Sequence, residues 1–144
     1  MIKLFSIKPC YSEKIYNKEK FVEFRRQNVN IDTNETCLIY TTAPVKKITG
    51  YFVVKKKLRL PLYKLWKLTK NIGGISKKIF TEYFKGCKYG TALIFKIAKN
   101  FTNSIDVFKI FTNFNPPQSY YRLEAAKFIK IDKLFDISSH LQNT

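Results

Sequence analysis

From Ile48 to Leu60 the chain alternates: Ile48, Gly50, Phe52, Val54, Leu58 and Leu60 fall on one face, and only Lys56 breaks the set. A period of two marks a half-buried β-strand, and a strand this long commits the chain to a sheet. Its candidate partners are plain. Ile2, Leu4, Phe5 and Ile7 suggest a first strand, and Cys37 to Thr41 a buried one. Lys20 to Arg26 alternates with Phe21, Glu23 and Arg25 on one face. Tyr89 to Lys99 reads as another strand, followed by shorter strand signals near Ile105 to Phe111 and at Lys127 to Ile131. Ala43-Pro44 and Pro116-Pro117 mark turns.

Helical signals interrupt this pattern. Pro9 opens a short helix through Lys14, Ile15 and Tyr16, proline being tolerated in a first turn. Pro61 starts a second helix with Leu62, Leu65 and Trp66 on one side. After the break at Gly73-Gly74, Ser76 is placed to cap a third, whose stripe is Ile79, Phe80, Tyr83 and Phe84 and whose end is Gly86. Asp132 to Leu141 reads as a terminal helix. Strands with two helices inserted mid-chain predict an α+β fold centred on a small mixed β-barrel. At 144 residues, 45% of them hydrophobic, the chain has enough material for one core and one domain.

Charge narrows the function. Lys and Arg number 27 against 10 Asp and Glu, a net +17, and only Arg25, Arg26, Arg59 and Arg122 of the 27 are Arg. Such a surplus implies a polyanionic partner, nucleic acid or an anionic membrane surface. An AT-rich genome would also encode much of this Lys, Ile, Asn, Phe and Tyr. The 3 cysteines, Cys10, Cys37 and Cys87, form no paired spacing, which argues for a reducing compartment and against a disulfide framework or zinc site. The start of the chain lacks the apolar run of a signal peptide, and the longest uncharged run, Ile110 to Tyr121, is polar. The expectation is a soluble cytoplasmic protein without a membrane span.

No acid occurs between Thr36 and Thr81, where Lys46, Lys47, Lys55, Lys56, Lys57, Arg59, Lys64, Lys67, Lys70, Lys77 and Lys78 are all positive. Tyr51, Tyr63 and Trp66 are interleaved with them. Cations for phosphates and flat rings for bases make the composition of a surface for RNA or another single-stranded nucleic acid. The plainer alternative is a solvated face over core aromatics, and Trp66 lies on the apolar stripe of its helix. A basic amphipathic helix on a membrane is disfavoured because the Pro61 to Lys70 segment is short.

The octet Lys18-Glu19-Lys20-Phe21-Val22-Glu23-Phe24-Arg25 resembles the GxKxxExR signature of ASCH domains, members of the PUA-like superfamily, with Lys18 in place of the Gly. Three further stretches resemble the same family in the same order. They are the strand–turn–strand from Tyr40 to Gly50, the helical insertion from Gly74 to Gly86, and the closing turn Asn115-Pro116-Pro117-Gln118-Ser119-Tyr120. The resemblance covers residues 1–123 and leaves 124–144 as an extension expected to pack on the same domain. It implies a PUA-like barrel with a cleft and a role in RNA binding or RNA metabolism. Some ASCH proteins are ribonucleases, and one is an amidohydrolase of acetylated cytidine. In that amidohydrolase branch the signature Lys is catalytic, and it carries over to Lys20; the branch's Thr does not, because Glu23 stands there.

The residues support a site without the name. Glu23 and Arg25, two apart on a strand, project from one face, with Lys20 near the strand's start. The Glu is suited to accept from an exocyclic amine of a base while Lys and Arg hold phosphate. The same trio suits acid–base work, with Glu23 as base and a cation stabilising developing negative charge. A structural Glu–Arg pair closing a strand edge is the alternative. The expected nucleic-acid-binding residues are therefore Lys20, Glu23, Arg25, Lys46 and Lys47, and Lys20 and Glu23 are the catalytic pair if the protein is an enzyme, a ribonuclease or nucleoside amidohydrolase. Docking on an acidic protein is a third class. No cofactor or metal is expected: His140 is the single histidine, no phosphate loop follows Gly73-Gly74, and no ligand cluster is present.

Overall fold

The computed structural model describes residues 2–110 and 113–122. The extension at 124–144, with its expected strand and helix and His140, lies outside them. The elements in order are β1 (Ile2–Ile7), α1 (Pro9–Tyr16), β2 (Val22–Arg25), β3 (Thr36–Thr41), β4 (Lys47–Pro61), α2 (Leu62–Thr69), α3 (Lys77–Tyr83), β5 (Tyr89–Ile105), α4 (Val107–Ile110) and β6 (Tyr120–Arg122). The strands form one mixed sheet in the order β2-β5-β4-β3-β1-β6. Among the described strands only β1 and β3 run parallel, in register from Ile2 opposite Thr36 to Ile7 opposite Thr41.

The two longest strands set the curvature. β4 and β5 pair antiparallel from Ile48 to Pro61, and their register shifts between Ile48 and Gly50, Val53 and Val54, and Val54 and Lys56. Each shift adds local twist and moves side chains between faces. The single apolar face expected for β4 is therefore divided. Ile48, Tyr51 and Val53 pack with Leu4, Leu38 and Phe101. Phe52 and Val54 join Phe5, Ile39, Leu93 and Phe95 in a second cluster. Leu58 and Leu60 pack with Val22, Phe24, Leu65, Phe80 and Phe84 beneath the inserted helices. Phe5, Phe52, Phe84 and Leu93 are fully buried, and each such side chain contributes about 1.5–3 kcal/mol.

The helices begin where their sequence signals lie. Pro9 occupies the first turn of α1, and Ser76 Oγ accepts the Ile79 amide at 3.2 Å to cap α3. Gly86 follows α3 with φ +85°. Trp66 packs on Phe80 with ring centroids 5.2 Å apart and lies partly buried against the core. The strand signals after Lys99 resolve differently: β5 runs on to Ile105, and Val107–Ile110 is helical. Asp106 Oδ1 accepts the Phe108 amide at 3.1 Å, a local bond that competes with strand geometry and turns the chain into α4. All 3 cysteines are free. No helix among the described residues is long and apolar enough to cross a membrane.

Candidate functional site

β2 is a short edge strand whose partner is β5, with Glu23 opposite Leu93 and Arg25 opposite Thr91. In sheet order three strands separate β2 from β1. Arg25 nevertheless reaches β1, donating from Nη2 to the Ser6 carbonyl at 3.0 Å and from Nη1 to Ser119 Oγ at 3.0 Å. A side chain spans that gap only if the sheet curls so that its two sides approach, which is the half-barrel. The guanidinium also sits 5.0 Å from the Phe5 ring centroid and 3.2 Å from Glu23 Oε1. Both partners of this pair are about nine-tenths buried. The pair thus differs from an exposed strand-edge bridge: Arg25 ties the curl together and holds one carboxylate oxygen of Glu23.

Where β2 and β1 converge lies a cleft of about 350 Å³. Lys20, Glu23, Phe24 and Arg25 form one wall; Ser6, Ile7, Lys8 and Tyr11 form the opposite one. Thr42, Ile75, Tyr83 and Gln118 complete the lining. Glu23 Oε2 is buried and has no hydrogen-bond partner among the described residues. A buried carboxylate oxygen without a donor costs free energy, about 1–3 kcal/mol or more for a charged group. An N–H or O–H brought into the cleft would recover it.

Lys20 is equally constrained. It is 3% exposed, and its Nζ donates to the Gly73 carbonyl at 2.8 Å. The amine lies 4.7 Å from the Phe24 ring centroid and 5.5 Å from that of Tyr11. Burial pushes its pKa down to about 8; the Glu23 carboxylate opposes the shift and the Lys14 ammonium adds to it. The Gly73-Gly74 break makes this seat. Gly74 has φ +67°, and a Cβ there would lie 2.7 Å from Lys20 Cβ, so the backbone approaches as only glycine permits. Lys14 donates to the Gly74 carbonyl at 2.9 Å. Burial likewise raises the hydroxyl pKa values of Tyr11 and Tyr83 on the cleft walls.

The structure brings Lys20, Glu23 and Arg25 together and leaves Lys46 and Lys47 outside. Lys46 is exposed in the 42–46 turn and Lys47 at the start of β4; the turn borders the cleft through Thr42 and contains a cis Ala43–Pro44 bond. In the acid-free stretch, Lys57 donates to the Val29 carbonyl and Arg59 to the Arg26 carbonyl and Thr91 Oγ1, so these two brace the 26–31 loop. Tyr51 is buried; Tyr63 is 71% exposed. Sequence reasoning missed Lys8, Tyr11, Thr42 and Tyr83 as lining residues, since no local pattern marks positions that only the curl assembles. Gln118 and Ser119 had a signal in the Pro-Gln-Ser turn. Lys18 adopts φ 63°, the left-handed conformation that explains a Gly at the start of the signature. Among the described residues no group of three His, Cys, Asp or Glu side chains could hold a metal ion.

No family model matches the chain. It is similar to an ASCH domain-containing ribonuclease of Zymomonas mobilis, 27% identical over 118 residues that cover 81% of this chain and 80% of that one. The crystal structure of ASCH from Zymomonas mobilis superposes with a TM-score of 0.86 at 26% identity, covering 93% of this chain and 95% of that chain. The N-terminal domain of Staphylothermus marinus McrB covers 92% of this chain with a TM-score of 0.60 at 9% identity, a likeness of fold alone.

Proposed function

Given that the chain is an ASCH domain protein of PUA-like fold, we propose that it binds RNA and takes one nucleotide into the cleft between β1 and β2. The observation that carries this reading is Glu23 Oε2, a buried acceptor facing a cleft with no donor among the described residues. The exocyclic amine of a base supplies such a donor. Tyr11, Tyr83, Phe24 and Ile75 offer the flat and apolar walls a base requires, and about 350 Å³ is at the small end of ligand-site volumes. The net charge of +17 supplies attraction to the phosphates, Lys46 and Lys47 being exposed a few residues after Thr42, which borders the cleft. Arg25, whose Nη1 and Nη2 are already engaged and whose Nε is buried with no partner among the described residues, positions Glu23. The cytoplasm is the compartment this reading assumes.

A second reading, cleavage of the bound RNA, is favoured by Lys20. An amine with a pKa of about 8 changes protonation near neutral pH, and it shares the cleft with a carboxylate. The Zymomonas relative is named a ribonuclease. In this scheme Glu23 accepts the proton of a ribose 2′-hydroxyl and the freed oxygen attacks the adjacent phosphorus. The P–O5′ bond breaks, and Lys20 donates a proton to the leaving oxygen. The products are a 2′,3′-cyclic phosphate and a 5′-hydroxyl. Incubation with single-stranded RNA tests both readings. Binding that weakens steeply with salt is expected, with cleavage that stops on 2′-deoxy substitution and falls as pH rises through about 8. Absence of binding at low salt overturns the RNA reading; binding without cleavage leaves recognition alone. Displacement by polyglutamate as readily as by RNA assigns the basic surface to an acidic protein instead.

A further inference from the structure

A second cleft, of about 440 Å³, takes no part in the reading above. Pro9, Ser12, Glu13 and Tyr16, at i, i+3, i+4 and i+7, put one face of α1 along it. Tyr11, which lines the β1–β2 cleft, is off that face, so the two clefts lie on different sides of the helix. Thr41 of β3, Thr49 of β4 and Val45 of the turn between them supply more of the lining. The remaining wall is an arch in β5. Between its pairs with Gly50 and Ile48, β5 advances five residues, from Asn100 to Ile105, while β4 advances two. The surplus bows β5 away from its partner, and Asn100, Phe101, Thr102 and Ser104 of the arch border the cleft.

The hydroxyls of this cleft form a chain whose direction is fixed. Ser12 Oγ donates to the Pro9 carbonyl at 3.2 Å and accepts from Thr41 Oγ1 at 3.1 Å. Each hydroxyl has one proton. That of Thr41 is committed to Ser12, so Thr49 Oγ1 donates across the 2.7 Å contact between the two threonines. Thr49 is then committed in turn, and the Tyr16 hydroxyl donates to it at 2.6 Å. Tyr16 Oη is therefore the head of the chain, with a lone pair to offer and no proton. Hydrogen bonds in series polarise one another, which strengthens that oxygen as an acceptor. Burial raises the Tyr16 pKa and keeps the phenol protonated, as this direction requires. Glu13, one turn away on the same helix face, adds a carboxylate. Among the described residues no Lys or Arg lines this cleft, whereas Lys8, Lys20 and Arg25 line the first. A phosphate thus meets no cation here. A neutral group with two adjacent donors meets two acceptors. The vicinal diol of ribose is such a group, and Pro9, Val45 and Phe101 offer apolar contact to the attached base.

We propose that this second cleft binds the 2′,3′-diol of a ribonucleoside, with Glu13 and Tyr16 Oη accepting from its two hydroxyls. Such a diol occurs on a free ribonucleoside and at the 3′ end of an RNA chain. The site is independent of the first cleft: its failure leaves the Glu23 reading untouched, and an empty first cleft leaves it intact. The test follows backbone amide shifts by NMR during addition of uridine or 2′,3′-dideoxyuridine. A uridine trinucleotide, 2′-O-methylated at its first two residues and ending in either a 3′-hydroxyl or a 3′-phosphate, is added in parallel. Uridine is expected to give saturable shifts at Glu13, Asn17, Asn100 and Ser104, with the dideoxy analogue about tenfold weaker or more. The same shifts from the trinucleotide with the 3′-hydroxyl, and not from that with the 3′-phosphate, assign the site to RNA ends; shifts from uridine alone assign it to free nucleosides. Glu13→Gln replaces a charge-assisted bond by a neutral one and should weaken uridine about tenfold. Glu19→Gln makes the same charge change outside both clefts and should bind as wild type. Both glutamates are exposed, so the variants are expected to fold, and thermal denaturation checks it. Shifts confined to Lys20, Glu23 and Arg25 overturn the proposal. So does equal binding of dideoxyuridine, or an equal loss in the two glutamine variants.

Discussion

The molecule carries its positive charge in two different settings. In the cleft, Lys20 and Arg25 are largely buried, hydrogen-bonded and placed against aromatic rings. On the 42–46 turn, at the start of β4 and along α2, Lys46, Lys47, Lys64 and Lys67 stand in solvent. The sequence makes these cations look alike; burial makes them unlike. Water and salt screen the exposed set, so it acts through number and attracts a polyanion without choosing one. The buried set has few members with fixed geometry, where each charge is costly to displace and sensitive to its neighbours. On the proposed reading, specific handling of a nucleotide belongs to the cleft, and capture belongs to the surface.

The strongest way to break this contrast is Arg25→Ala. Removing one partner of a buried pair that also joins β2 to β1 and Ser119 is expected to cost about 3–5 kcal/mol of stability, read by denaturant titration. Arg26→Ala is the control. Its guanidinium is exposed and donates to the Lys85 carbonyl, and its loss should cost about 1 kcal/mol. Equal costs would mean that Arg25 closes nothing.

This outcome could not be anticipated from the octet alone. The alternation around Glu23 placed it and Arg25 on one face, as observed, but whether such a pair is exposed or buried depends on what curls over it. Ser6 and Ser119 are 19 and 94 residues from Arg25, and no local pattern joins them. Legibility elsewhere followed the same division. Local signals located α1, α2 and α3, because proline, serine and glycine act within a turn. The long β4 was legible as a strand, whereas its shared face was not, because bulges depend on the partner strand. The extent of β5 was also underestimated, since Asn100, Thr102, Asn103 and Ser104 are polar residues in a strand that β4 extends by pairing with it.

Lys20 provides a sharper and smaller test. Its folded pKa of about 8 lies below the ordinary lysine value, so the native state binds fewer protons than the unfolded chain above pH 8. Stability from this group is therefore lowest below pH 8 and rises with pH through the folded value. Burial holds the Tyr16 hydroxyl and the Cys37 thiol protonated, and these act in the opposite sense once their unfolded forms ionise. Wild type should gain about 1 kcal/mol between pH 8 and 9 relative to Lys20→Met, whose profile lacks the lysine contribution. Parallel profiles would place the amine in a solvated environment.

Smallest in effect are Lys46→Ala and Lys47→Ala. If the exposed cations act by number, each substitution should lower the slope of log K against log salt by about 0.7, with melting temperature unchanged. A change in preference between RNA sequences would move specificity from the cleft to the turn.

The account turns on whether the nucleotide enters beside Glu23. The most direct measurement is a crystal structure with a short single-stranded RNA carrying a 2′-O-methyl group throughout, which prevents cleavage. The account predicts one base in the β1–β2 cleft, with an amine nitrogen within about 3.2 Å of Glu23 Oε2 and a stacked or edge contact to Tyr11 or Tyr83. RNA bound along the lysines with the cleft empty and Glu23 untouched would contradict it.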